Sequence, residues 1–230
     1  MKCGQSDQRN VEYEKVFSEK EYFLRLIHQV NPVIFDIGGH RGETVMFFKG
    51  IFPESEIYSF EPDPSNFSCL KKVADSFGSK AYNFAVSNKS GRIDFYTQDL
   101  SHIGGLYPIN RDSTDSLGYA RQARNEKIAV EAITLSDFIE GNSVSRVDLL
   151  KIDVQGAEEE VLKGAVDKLL LVDNISVECN LFDFYGRSKS LYGIESIMHE
   201  YGFGLWDICK VSKNLKNWRT DWAELLYKKM

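Results

Sequence analysis

Three short stretches of the 230-residue chain combine glycines and carboxylates in patterns that could bind and activate a ligand. The first is Asp36-Ile37-Gly38-Gly39-His40-Arg41-Gly42. Its glycines allow tight turning and close backbone approach, and a helix starting after them would offer its N-terminus to a negative group. They do not follow G-x-G-x-x-G, and the Lys-Ser/Thr of a phosphate-cradling loop is missing. A plain strand–turn–helix junction is the other reading. The second stretch is Phe60-Glu61-Pro62-Asp63-Pro64. An acid about 20 residues beyond such glycines can accept both hydroxyls of a ribose diol. Asp63 before Pro64 reads as a helix cap, which leaves Glu61 as the ribose candidate. The third is Ile152-Asp153-Val154-Gln155-Gly156-Ala157-Glu158, with Glu178 further along.

These stretches need elements to hold them. Val33–Asp36, Glu56–Phe60, Lys80–Val86, Arg92–Tyr96, Lys127–Ile133, Val147–Asp153, Asn174–Glu178, Phe203–Ile208 and Glu224–Tyr227 read as strands. Apolar spacing of three and four predicts helices over Glu43–Ile51, Pro64–Phe77, Thr134–Ile139, Ala157–Leu171 and Leu191–Tyr201. A looser stripe of Phe17, Tyr22, Phe23, Leu26, Ile27 and Val30 precedes them. Thr97–Asn125 is polar and breaks the rhythm, as long functional loops do. Strand–helix alternation predicts an α/β fold: one open, mainly parallel sheet covered on both faces. Residues 1–32 then form a tail and helix, and 33–230 one domain. In such a sheet ligands bind beyond the carboxyl ends of the strands.

Composition narrows the function. Lys plus Arg number 28 against 34 Asp plus Glu, a net charge of −6, with no basic run to attract a phosphate backbone. Nucleic acid is therefore disfavoured as a partner. Cys3, Cys69, Cys179 and Cys209 are too scattered for a zinc site or a disulfide framework. Reduced thiols in a cytoplasmic protein are expected. No apolar run approaches membrane-spanning length, and MKCGQSDQRN is too polar for a secretory signal. A piece of a longer protein remains an alternative.

The three motifs in this order, with Val161-Leu162-Lys163-Gly164-Ala165 after the last, resemble the FkbM family of S-adenosylmethionine-dependent methyltransferases from about Val33 to Tyr227. The chain departs from that pattern at Gln155, where Glu is usual, and at Gly39-His40, where Ala-Asn is usual. The resemblance implies a Rossmann-like class I methyltransferase fold. It implies that Asp36, Gly38, Gly39 and Gly42 cradle the amino-acid end of S-adenosylmethionine. Glu61 would hold the ribose, Pro62 would shape the adenine pocket, and Ala85 and Val86 would flank the base.

Methyl transfer needs an in-line acceptor, and an alcohol acceptor also needs its proton removed by a base or a metal. Asp153, at a strand end beside the crevice, is the first candidate for either task. Glu178 could share Mg²⁺ with it, a hard cation that prefers oxygen, or bind sugar hydroxyls. The plain readings are loop ordering for Asp153 and helix capping for Glu178. His102, within the polar segment, could fold over the crevice as general base; a solvated loop histidine is the alternative. Phe182, Tyr185 and Arg187 lie where an acceptor would arrive, although Phe182 and Phe184 also suit packing. Trp206, Trp218 and Trp222 read as packing residues, His28 and His199 as surface ones. The expected activity is O-methylation of a sugar, glycan or secondary-metabolite hydroxyl. The alternatives are a non-catalytic cofactor-binding or scaffold module and a nicotinamide-dependent oxidoreductase.

Overall fold

The computed structural model describes residues 18–115, 117–186 and 191–230. In chain order the elements are α1 (Glu19–Leu26), β1 (Val33–Ile37), α2 (Glu43–Ile51), β2 (Glu56–Phe60), α3 (Pro64–Ser76), β3 (Lys80–Tyr82), β4 (Ala85–Val86) and β5 (Gly91–Thr97). They continue with α4 (Tyr119–Gln122), β6 (Glu126–Ile133), α5 (Leu135–Gly141), β7 (Leu149–Ile152), α6 (Glu158–Lys163), β8 (Asn174–Asn180), α7 (Leu191–Glu200), β9 (Phe203–Lys213) and β10 (Thr220–Lys229). The main sheet runs β3-β2-β1-β7-β8-β10-β9. Its first five strands are parallel, while β10 is antiparallel to both β8 and β9.

Two apolar layers close over the sheet. Phe35, Phe60, Ile152 and Val177 pack with Phe138 of α5, Val161 and Leu162 of α6, and Ile194 and Met198 of α7. On the opposite face Ile34, Ile57 and Leu149 meet Phe23 of α1, Phe48 of α2 and Leu70 of α3. Alternate residues of β1 therefore point into different layers, as the two-residue strand period requires. Each such aromatic or aliphatic side chain contributes about 1.5–3 kcal/mol on burial. The helix starts follow local chemistry: Asp63 caps α3 by accepting from the Ser65 and Asn66 amides, with Pro64 in the first turn, and Thr134 caps α5 through the Asp137 amide.

Several expected boundaries change. Lys80–Val86 is two strands, because the Asn83 side-chain amide donates to the carbonyls of Glu61 and Pro62 and turns the chain away from β2. Beyond that turn β4 leaves the main sheet and joins β5 and β6 in a second, three-stranded sheet of order β4-β6-β5. The expectation of one sheet is thus corrected to two. Ala157–Leu171 divides into α6 and a 3₁₀ segment over Val166–Leu171. Gly164 lies between them, where a Cβ would come within 2.1 Å of the Ser87 carbonyl oxygen. The β9–β10 hairpin is longer than its apolar alternation suggested, because an antiparallel ladder continues through polar pairs such as Lys210–Glu224, 3.3 Å apart. Trp206 and Trp218 are 55% and 84% exposed and are not packing residues; Trp222 is half-buried. Among the described residues no helix is long and apolar enough to cross a membrane. Cys69, Cys179 and Cys209 are free thiols, and Cys3 and Phe17 lie outside the described residues.

Candidate active site

Beyond the carboxyl ends of β1, β2, β4 and β7 lies a cavity of about 210 Å³. Its floor is the turn after β1, where the Gly38 and Gly39 amides both donate to the Phe60 carbonyl at 3.0 and 2.8 Å. Glycine is required twice here. Gly38 sits at φ +92, and a Cβ would fall 1.9 Å from the Asp153 carbonyl oxygen; at Gly39 one would fall 2.1 Å from Ser59 Oγ. Gly38, Gly39, Pro62, Ala85 and Val86 all line the cavity, joined by Phe60, Phe84 and Leu106 as an apolar slot. Gly42 does not line it. It is the left-handed residue at the start of α2, pressed against Val73 of α3.

Glu61 also lines this cavity and is 5% exposed. Its carboxylate accepts from the backbone amides of His40 (2.9 Å) and Asp63 (2.8 Å). Burial pushes the carboxyl up to about 8, against the lowering effect of those two amides. Asp36 is wholly buried and lies behind the loop. Ser59 Oγ donates to one of its oxygens at 2.6 Å, and Lys151 Nζ stands 3.9 Å from the other. Burial raises its pKa, opposed by Lys151 and Ser59. Lys151 was not among the residues singled out from the sequence, yet a lysine inside the apolar run Leu149–Ile152 was a signal. Burial pulls its ammonium down, and Asp153, Asp36 and Glu224 more than reverse that.

A second cavity, about 330 Å³, opens beside the first. His102, Asp153 and Gln155 line both, so they stand at the junction. Asp153 takes 3.3 Å from Lys151 Nζ on one oxygen and 2.7 Å from Gln155 Nε2 on the other. Gln155 Nε2 also donates to Glu178 at 3.1 Å, while its Oε1 accepts from the Tyr185 hydroxyl. One amide thus orients two carboxylates and a phenol. Burial pushes Glu178 up to about 8, with the negative charges of Asp153 and Glu158 adding to it. Glu158, at the start of α6, is pushed up to about 7 by burial and accepts from the Gly156 amide.

His102 is exposed, in a 3₁₀ turn over Ser101–Ile103, and meets Tyr119 edge-on at 6.1 Å. Phe182 lines the second cavity under the guanidinium of Arg219, which lies 3.8 Å from its ring centre. Tyr185 is almost fully buried and reaches the cavity wall through Gln155. Arg187 lies outside the described residues. Asn180 and Trp222 complete the wall; both sit in the sheet, and no local motif distinguished Asn180. The expected Mg²⁺ fits poorly. Among the described residues no group of three His, Cys, Asp or Glu side chains could hold a metal ion, and Asp153 and Glu178 already face the Gln155 amide and the Lys151 ammonium.

A strand-end crevice built on these motifs has known counterparts. The model of the methyltransferase FkbM domain matches residues 36–205. The chain belongs to the FkbM methyltransferase family. "Methyltransferase 1" of Beauveria bassiana is 30% identical over 198 residues, covering 77% of this chain and 79% of that protein. The "2-O-methyltransferase NoeI" of Sinorhizobium fredii is 27% identical over 194 residues, 77% of this chain and 75% of its own. The crystal structure of methyltransferase FkbM from Methylobacillus flagellatus KT superposes with a TM-score of 0.54 at 14% identity, over 86% of this chain and 44% of that one. That likeness is one of fold, the Rossmann-like class I architecture. Within this FkbM domain all three sequence motifs lie on the crevice side of the sheet.

Proposed function

We propose that this protein is an S-adenosylmethionine-dependent O-methyltransferase acting on a hydroxyl of a sugar, a glycan or a related secondary metabolite. The observation that carries the reading is the pair of adjoining cavities that meet at His102, Asp153 and Gln155. A methyl group leaving the first cavity in line would enter the second. When bound, the cofactor supplies an electrophilic methyl on a sulfonium. Glu61 holds the ribose hydroxyls, the slot of Pro62, Ala85 and Val86 takes the adenine, and the turn from Asp36 to Gly39 receives the amino-acid end. His102 takes the acceptor proton, since its imidazole is exposed at the junction of the two cavities. Asp153 and Glu178, oriented by Gln155, bind neighbouring acceptor hydroxyls. Oxygen as the receiving atom is supported by the relative named a 2-O-methyltransferase. Aromatic Phe182, Tyr119 and Trp222 beside amide and carboxylate groups suit a polyhydroxylated ring.

The test has two stages. Calorimetry with S-adenosylhomocysteine should show binding, and no binding by folded protein would end the proposal. Labelled methyl should then pass from S-adenosylmethionine to members of a panel of glycosides and small alcohols. Binding without any product would favour the non-catalytic module.

A further inference from the structure

His40 occupies an unusual place between two parts of the site. Its backbone lies in the left-handed region at φ +45, where His and Asn are found more often than most non-glycine residues. Its amide donates to Glu61 Oε2 at 2.9 Å. Its ring is held at both nitrogens: Nδ1 lies 3.2 Å from Glu43 Oε1, and Nε2 lies 2.9 Å from Ser101 Oγ. Ser101 is the residue before His102 and begins the same 3₁₀ turn. One residue therefore touches the ribose carboxylate with its main chain and the turn bearing the proposed base with its side chain.

The remaining attachments of that turn define its freedom. From the cofactor side, the buried Asn66 also donates to the Ser101 carbonyl, at 3.3 Å. From the acceptor side, the Tyr185 hydroxyl stands 3.5 Å from the Ile103 carbonyl. The later part of the segment is fastened elsewhere: Asn110 to the Phe184 carbonyl, Gly186 to the Pro108 carbonyl, and Arg219 to the Thr114 carbonyl, all at 2.7–2.9 Å. Just past the turn, Gly105 is paired with Tyr96 of β5 at 2.8 and 3.1 Å. The turn itself rests on the cofactor side through the His40–Ser101 and Asn66–Ser101 contacts, of which the first is the shorter.

We propose that His40 is a positioning residue that couples occupancy of the cofactor cavity to the placement of the His102 turn, so that the methyl donor fixes the base before the acceptor is engaged. The proposal rests on the methyltransferase reading above. A ligand that fills the cavity and bonds Glu61 steadies the His40 main chain. The ring, already clamped by Glu43, passes that order to Ser101, and His102 follows.

Hydrogen–deuterium exchange on the full chain tests this without knowledge of the acceptor. In the unaltered protein, S-adenosylhomocysteine should slow exchange both at residues 38–43 and at 100–106. His40→Asn tolerates the same left-handed backbone, so it keeps the turn and removes the ring contact. It should retain protection at 38–43 and lose about fivefold at 100–106, the scale of one hydrogen bond. Ser101→Ala, which removes the contact from the other side, should do the same. Equal thermal unfolding of variant and parent shows that folding is intact. Full protection at 100–106 in both variants, or protection of the parent at 38–43 alone, overturns the coupling. Absence of ligand protection at both segments overturns the methyltransferase reading beneath it.

Discussion

The two cavities of the crevice, the proposed cofactor side and the proposed acceptor side, are built differently. The first is a floor of short turns, each a few residues long, with the turns after β1 and β2 locked to one another's strand ends. The Gly38 and Gly39 amides are tied to Phe60, and Glu61 is tied to His40 and Asp63. The second is assembled from places far apart in the chain: His102 and Tyr119 from one long segment, Asn180 at the end of β8 and Phe182 just past it, Asp221 and Trp222 from β10. A ligand common to a family can be met by a fixed floor. A ligand that differs between relatives is met by walls that can change independently, which is where loops carry function.

The sharpest break of this comparison is at the junction. His102→Ala should lower methyl transfer by about 10²–10⁴-fold and leave S-adenosylhomocysteine affinity unaltered, read by turnover and calorimetry in parallel. If affinity falls with turnover, the two sides are not separable. On the floor, Gly38→Ala places a Cβ against the Asp153 carbonyl at positive φ. It should destabilise the fold by about 3 kcal/mol, a fall of roughly 6–12 °C in Tm for a domain of this size. Gly186→Ala, whose Cβ would meet the Pro108 carbonyl at an ordinary 3.5 Å, should move Tm by little. Similar losses in the two variants would show that the walls are as rigid as the floor.

Glu61→Gln should weaken S-adenosylhomocysteine about tenfold, the scale of one lost hydrogen bond, with an unaltered circular dichroism spectrum. Taken per unit of pH, the smallest effect is a titration. Burial holds the Glu61 carboxyl at about 8, above its ordinary 4.5, so between those values the folded chain binds a proton that the unfolded chain has lost. Unfolding free energy should therefore fall as pH rises from about 5 to 8, by at most about 1.4 kcal/mol per pH unit for this one group. Urea unfolding at several pH values should show the fall, and Glu61→Gln should make it shallower. An unchanged slope would mean that Glu61 is less shielded than its 5% exposure implies.

Legibility follows the same division. Asp36-Ile37-Gly38, Glu61-Pro62 and Asp153 could be singled out because their setting is local: tight turns and strand ends each need particular residue types at adjacent positions. Ala85 and Val86 were found as cavity residues, yet their departure into a second sheet was hidden. Nothing in an apolar pair says which strand will pair with it, and the Asn83 amide that turns the chain acts on carbonyls more than twenty residues away. Trp206 and Trp218 misled because aromatic character signals burial only when a neighbour arrives to cover the ring. Asn180 carried no motif at all and Lys151 only the signal of a charge within an apolar run, and their importance comes from what the fold sets beside them.

By itself, then, the amino-acid sequence determined the alternating α/β plan, the glycine turn after β1 and the acid after β2, because backbone geometry and strand-end chemistry are decided within a few residues. Only the tertiary structure decided that Gln155 would orient Asp153 and Glu178 at once, and that His40 would reach Ser101 across 61 positions of sequence. It alone made His102, Asp153 and Gln155 the common wall of two cavities. Those relations are contacts between remote segments, and their distances exist only once the sheet has brought its carboxyl ends together.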